Sequence, residues 1–199
     1  CTRVGEPVDI GTGDFLQEWP VLDLPGTLPL RLTRSYRSTA SFSGAFGGLW
    51  MDDWSQRLEV DGQAVTFHTS HGATLEFHTP EDEVQAVNLR DRRYCLFGQR
   101  SQALRLYDRQ TRTILSFEVI DGSTRCLSDI EDLNGNRIRF HYNDGALARI
   151  EHSDGYTLLV RCVGRHIASV SAQGGEHDGL ELIRCTYDAE GRLAQCHSH

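Results

Sequence analysis

The sequence predicts an all-β protein, an antiparallel meander of short hairpins, and three observations carry that reading. Asn134-Gly135, Asp144-Gly145 and Asp154-Gly155 recur ten residues apart, each a two-residue signal for a tight turn whose central positions need positive φ. Between the first two turns Ile138, Phe140 and Tyr142 alternate with Arg137, Arg139 and His141, and after the third Tyr156, Leu158 and Val160 repeat the pattern. That period of two belongs to strands with one buried face. Finally, no stretch between residues 57 and 193 sustains a helical period. Short strands at even spacing, joined by tight turns, add about one strand every ten residues.

Residues 1–60 form the first of three segments and differ in composition from the rest. They hold Pro7, Pro20, Pro25 and Pro29 of the five prolines and all three tryptophans, Trp19, Trp50 and Trp54. Val8-Asp9-Ile10, a glycine turn at Gly11-Thr12-Gly13 and Asp14-Phe15 read as strand, turn and strand. GTGDF lacks the third glycine, the following helix and the lysine of a phosphate cradle, so it is a hairpin turn. Leu28 to Tyr36 is a strand with Leu30, Leu32 and Tyr36 at alternating positions. SFSGAFGG, 41–48, is a surface loop anchored by its two phenylalanines, and a short helical turn is allowed near Asp52–Trp54.

Residues 61–128 are a wall of hairpins. Arg57–Val60, Ala64–Thr69 and Thr74–Thr79 are strands joined at Asp61-Gly62 and at Ser70-His71-Gly72. Pro80-Glu81-Asp82-Glu83 is a solvated acidic loop, and Arg90 to Arg93 a charged turn of mixed sign. Leu104–Asp108 and Ile114–Val119 make another hairpin, with a further turn at Asp121-Gly122. Residues 129–199 carry the three evenly spaced turns and close on Tyr187-Asp188-Ala189-Glu190-Gly191-Arg192-Leu193. A repeating strand-turn-strand unit is the strongest organisational signal in the chain.

Composition removes several kinds of chemistry. The 20 basic residues against 28 acidic ones give a net charge of −8, which leaves no nucleic-acid footprint. Every basic residue is arginine, so no phosphate-loop or Schiff-base lysine exists. No apolar run is long enough to span a bilayer, and no charged-then-apolar leader opens the chain; the piece reads as soluble, with no membrane passage through it. Cys1, Cys95, Cys126, Cys162, Cys185 and Cys196 are widely spaced with no CxxC pair, which favours free thiols over a disulfide framework. His68 and His78 each follow a phenylalanine, and Cys196-His197-Ser198-His199 offers three potential ligands, yet polar-face histidines and a chance terminal cluster account for both without a metal. Asp9, Asp14 and Asp23 invite a carboxylate-dyad reading but occupy turn positions where Asp serves its own backbone. No Gly-x-Ser-x-Gly elbow is present. The segment is expected to be non-catalytic and to need no cofactor.

YDAEGRL at 187–193 resembles the tyrosine–aspartate repeat of the Rhs/YD-repeat proteins, a core of roughly Tyr-Asp-x-x-Gly-Arg-Leu. The motif residues here are Tyr187, Asp188, Gly191, Arg192 and Leu193. DLNGNRIRFHYNDGALARIEHSDG, 132–155, is similar to the sequence that introduces those repeats; it holds the turn glycines Gly135 and Gly155 and a degenerate copy of the motif in Tyr142, Gly145 and Leu147. In that copy the spacing is one residue short, Asn143 replaces Asp, and Ala146 stands where Arg is usual. The tyrosine is expected to end a strand and pack across the next one, the glycine to make the turn, and the leucine to re-enter the core. GEPVDIGTGDF, DLPGTLPLRLTRSYRS, a Gly/Trp-rich stretch and QRLEV are similar to the domain that opens an Rhs shell, although Gly47-Gly48-Leu49-Trp50 stands where a Gly-Trp-Gly-Trp run is common.

The resemblance implies the start of a β-spiral that closes into a hollow cocoon around a C-terminal toxin domain of the same polypeptide. It implies manufacture in the bacterial cytoplasm and delivery by a secretion system, often type VI. The implied partners are the remaining repeats and the toxin domain, with spike or PAAR components and a chaperone as further candidates. The family's self-cleaving aspartyl-protease-like region lies at the far end of the shell with an Asp-Pro-x-Gly motif; this chain has no Asp-Pro dipeptide. Cys1 ahead of GEPVD fits a chain that begins just after an upstream PAAR-like or membrane-associated region. A β-rich module binding carbohydrate or a partner protein is the alternative, and exposed tryptophans would favour it.

Overall fold

Leu30 and Leu32 are buried while Arg31 between them is exposed, the same alternation recurs at Leu104 and Leu106 and at Ile138 and Phe140, and Leu58 and Val60, and Val65 and Phe67, are buried around half-buried Glu59 and Thr66. Each such run can bury one face only as a strand, and each became one. The computed structural model describes residues 13–79, 85–88, 91–99 and 103–198. Among them the first three strands, β1 (Leu16–Leu24), β2 (Leu30–Arg37) and β3 (Trp50–Asp52), form an antiparallel sheet of their own. The expected strand Val8–Ile10, Asp9, the acidic loop at Pro80–Glu83, Arg90, Cys1 and His199 lie outside the described residues.

The larger sheet is built in chain order. Its continuous path runs through β7 (Ala86–Val87), β8 (Tyr94–Phe97), β9 (Leu104–Asp108), β10 (Thr113–Asp121), β11 (Thr124–Asp132), β12 (Arg137–Asn143), β13 (Ala146–His152), β14 (Thr157–Val163), β15 (His166–Gln173), β16 (Glu181–Tyr187) and β17 (Leu193–Ser198). Every neighbour on that path is antiparallel and sequential. The fold is thus the antiparallel meander that the turn spacing predicts.

A side branch of β4 (Arg57–Asp61), β5 (Ala64–His68) and β6 (Thr74–His78) joins at β11. Thr124–Cys126 of β11 pairs with β4, and Asp129–Glu131 of the same strand pairs with β12. One edge of β11 is therefore shared by two strands placed end to end, and the sheet forks there.

The two sheets bury their apolar faces against each other. One contiguous cluster takes in Val21, Leu30, Leu32, Phe46 and Trp54 from the first 60 residues and runs through Leu58, Phe67, Leu106, Phe117 and Ile150 to Ile183 and Cys185. Phe67 packs edge-on against Tyr94 at 5.1 Å and Phe117 at 5.9 Å, contacts worth about 0.5–1.5 kcal/mol each beyond area burial. In the 41–48 loop Phe46 is fully buried and Phe42 nearly so, which is the anchoring expected of them.

Three local expectations need correction. The stretch expected to hold a short helical turn, Asp52–Trp54, begins as the end of β3 and then turns, with Ser55 N–H donating to the Asp52 carbonyl. The described helical turn is instead Gly175–His177, a single 3-10 turn between β15 and β16. Asp144-Gly145 is a two-residue loop with both residues at positive φ (50° and 75°), as its composition demands. Asn134-Gly135 and Asp154-Gly155 are not: only the glycine is left-handed, and each sits in a three-residue loop closed by an outer hydrogen bond, Asp132 N–H to Asn136 O and His152 N–H to Tyr156 O.

Candidate functional site

A single loop design closes four hairpins. Thr69–Ala73, Asp132–Asn136, His152–Tyr156 and Asp188–Arg192 each have the N–H of the first residue donating to the carbonyl of the fifth, and the glycine N–H donating back to the first carbonyl. Gly72, Gly135, Gly155 and Gly191 all stand fourth, at φ of 75°, 85°, 91° and 75°. The first residue supplies a side-chain acceptor for the turn's own N–H groups: Thr69 Oγ1 for Ala73, Asp132 for Asn134 and Asn136, His152 Nδ1 for Asp154, Asp188 for Glu190 and Arg192. Sequence reading missed this acceptor position, although an acceptor three residues before each glycine was its visible signal.

The tyrosine–aspartate motif is one instance of that loop. Asp188 accepts from the Arg192 N–H at 2.8 Å, the Arg192 Nε at 2.8 Å and the Glu190 N–H at 3.0 Å. The Arg192 backbone N–H leads in holding its carboxyl below the ordinary range. Arg192 thus folds back over its own turn. Tyr187 sits beside a register shift and pairs with Leu193 across the hairpin. Its hydroxyl donates to the Ile167 carbonyl at 2.7 Å, and burial raises its pKa.

The degenerate copy reproduces the same relations with a shorter turn. Tyr142 also follows a register shift, pairs with Leu147, and donates through its hydroxyl to the Leu127 carbonyl at 2.9 Å. Leu147 is buried, whereas Leu193 is half-buried against the core. Both tyrosines are register partners of the leucine on the next strand, and both hydroxyls also reach back to the preceding strand, β15 or β11.

Two of the loops are also where the first segment docks. His152 Nδ1 accepts from the Asp154 N–H, so Nε2 carries the proton and donates to the Leu28 carbonyl at 2.7 Å. The Asp154 carboxylate accepts from both the N–H and the hydroxyl of Thr27, and the His152 ring stacks on Tyr156 at 4.5 Å. At the second contact the Ala45 carbonyl accepts from the Ile167 N–H at 2.8 Å and, more weakly, from the Tyr187 hydroxyl at 3.4 Å. A Cβ on Gly47 would lie 2.7 Å from the Gly191 carbonyl oxygen, so the loop reaches the motif turn only with glycine there.

Asp52 holds that second loop in shape. It is buried and accepts from the N–H groups of Ala45, Trp54 and Ser55 and from the Ser55 hydroxyl. Burial outweighs those bonds and pushes its pKa up to about 6. Nothing in the sequence distinguishes it from its neighbour Asp53, because its donors are mostly backbone.

The candidate chemical groupings do not assemble. Asp14 binds Ser38, Thr39 and Arg37 at one end of the β1–β2 hairpin, and Asp23 pairs with Arg31 at the other. His68 lies opposite Thr74 and His78 opposite Ala64, so the two imidazoles occupy different ends of their hairpin. His68 Nε2 is 3.1 Å from Glu59 but poorly aligned for a hydrogen bond, and burial lowers its pKa. Among the described residues no group of three or more His, Cys, Asp and Glu is placed to hold a metal ion, and no helix is long and apolar enough to cross a membrane. Trp54 is buried and donates to the Arg31 carbonyl at 2.8 Å, while Trp50 is half-buried between Trp19 and Tyr36 under the Arg34 guanidinium.

Comparison with known proteins agrees with this geometry. A family described as a domain of unknown function (DUF6531) matches residues 5–77. Two proteins of Dickeya dadantii (strain 3937), named probable deoxyribonuclease RhsB and probable deoxyribonuclease RhsA, are each 30% identical to the chain over 198 residues. Those alignments cover 97% of this chain but 14% of each relative, so the chain spans about a seventh of their length. With the matched opening segment and sequence shared along nearly the whole chain, the chain belongs to the Rhs family.

Proposed function

We propose that this segment is part of the wall of an Rhs β-shell that encloses a C-terminal toxin domain of the same polypeptide until a bacterial secretion system, often type VI, delivers it. The observation that carries the reading is the strand path from β7 to β17, laid down in strict chain order with one face buried. Such a sheet grows by adding hairpins and has no built-in end. The first segment docks on this path through Leu28 at His152 and Ala45 at Ile167 of β15, as a starting cap would. The buried Trp54 and covered Trp50 weigh against a carbohydrate-binding surface, which needs accessible aromatic faces.

In this reading the segment itself is not an enzyme. Asp14 is occupied by Arg37, Ser38 and the Thr39 N–H and Asp23 by Arg31, and the catalytic work is assigned to the enclosed domain. The partners are the later repeats and that domain, with spike or PAAR components and a chaperone at delivery, after synthesis in the bacterial cytoplasm.

Two measurements test it. In the full-length protein, protease should spare the C-terminal domain, and deleting residues 13–60 should expose it; equal cutting rates with and without the deletion overturn the reading. The isolated 199-residue chain should associate through its β17 edge, because a strand edge offers unpaired N–H and C=O groups. A concentration-independent monomer in sedimentation would count against a shell segment.

A further inference from the structure

We propose that Cys185 and Cys196 are an oxidisable pair that closes into a cross-strand disulfide, a covalent staple on the tyrosine-motif hairpin. The two residues are register partners on β16 and β17, and their sulfurs lie 2.8 Å apart. Directly opposed residues of an antiparallel pair have Cα atoms about 4.5–5.5 Å apart, inside the range a disulfide spans. The sulfurs are less than an ångström beyond the covalent length of about 2.05 Å, so closure needs side-chain rotation and no movement of the strands. Wide spacing in sequence had suggested unrelated thiols. The hairpin around Asp188–Arg192 brings positions 185 and 196 together.

The surroundings favour reaction at one sulfur. The thiol of Cys185 donates to Cys196, and that bond, helped by the positive charge of Arg34, holds the Cys196 pKa down while that of Cys185 is raised. Arg34 Nε is shielded from solvent with no hydrogen-bond partner among the described residues, and the guanidinium lies 4.6 Å from the centre of the Trp50 ring. Its positive charge acts on both sulfurs in the direction that favours a thiolate. Cys185 is buried and Cys196 partly exposed, the arrangement of an attacking sulfur with a resolving one behind it. The other described cysteines lack this. Cys95 bonds Gln85, Cys162 bonds the Leu147 carbonyl, and burial raises the pKa of Cys126 and takes that of Cys162 to about 11.

With a small-molecule disulfide as oxidant, the Cys196 thiolate attacks one sulfur, forms a mixed disulfide and expels the other half as a thiolate. Cys185 then gives up its proton and attacks the Cys196 sulfur. The Cys185–Cys196 bond forms, the mixed bond breaks, and a second thiolate leaves. Two protein thiols lose two electrons, and the oxidant becomes two thiols that carry the two protons.

The test exposes the purified chain to oxidised glutathione, blocks remaining thiols and maps peptides without reduction. The expected product links the peptides of Cys185 and Cys196 and is lighter by two hydrogens, with Cys95, Cys126 and Cys162 still blocked as thiols. Cys185→Ser should leave glutathione trapped on Cys196, and Arg34→Gln should slow closure several-fold. Wild-type protein whose Cys185 and Cys196 stay reduced while any other cysteine is oxidised overturns the proposal. So does glutathione retained on Cys196 when Cys185 is present.

Discussion

His152 donates through Nε2 to the carbonyl of Leu28, 2.7 Å away across 124 positions of sequence. The bond is possible only because the other ring nitrogen accepts from the Asp154 N–H, so one imidazole shapes its own turn and fastens the first segment to it. His152→Ala removes both roles from a buried site and leaves the Leu28 carbonyl unpaired. A loss of about 2–4 kcal/mol is expected in urea unfolding. An unchanged midpoint would mean that the docking contributes no stability.

Tyr142→Phe and Tyr187→Phe each keep the ring and delete a buried hydroxyl that reaches the preceding strand. Each should cost about 1 kcal/mol. The degenerate copy should lose as much as the motif copy, since both make the same bond. A loss at Tyr187 alone would show that the spacing change in the other copy had cost it its role.

Gly191 and Gly47 separate two kinds of glycine requirement. At Gly191 an added Cβ meets only the His166 ring at 3.5 Å, so Gly191→Ala bears the left-handed backbone alone, about 1–2 kcal/mol. At Gly47 the same backbone strain is joined by a 2.7 Å approach to the Gly191 carbonyl, which cannot rotate away. Gly47→Ala should be clearly the more destabilising in thermal melts. The reverse order would sink the assignment of that contact.

Asp52 gives the fold a pH dependence of definite sign. Its folded pKa of about 6 lies above the ordinary 3.8, so the folded state binds the proton more tightly and ionisation opposes folding. Stability from this group is therefore present below pH 3.8 and is lost as pH rises towards 6. The stability of the parent minus that of Asp52→Asn should fall across that window by up to about 1.4 kcal/mol per pH unit, then level off. A difference that rises with pH would contradict the buried carboxylate.

What could be read in the sequence was what repeats locally. The alternation at Ile138, Phe140 and Tyr142 placed β12 and its buried face, and Asp144-Gly145 named its turn, because side-chain period and φ preference act within a few residues. Asn134-Gly135 misled, since the carboxylate of Asp132 two residues earlier organises a longer loop that competes with the tighter one. The docking contacts were invisible for a different reason. Leu28 and Ala45 present backbone carbonyls, which every residue has, and only the folded register decides which is used. The pairing of Cys185 with Cys196 likewise exists only once the hairpin length is known.

The fork at β11 sets an order of events during synthesis. The β4–β6 branch leaves the ribosome early, but the β4 edge that Thr124–Cys126 will cover stays open until more than sixty further residues have been made. The Thr27–Leu28 loop waits longer still, for His152 and Asp154. The nascent chain must therefore carry a half-covered sheet for seconds at ordinary translation rates, and that interval is when a holding factor would have most to bind.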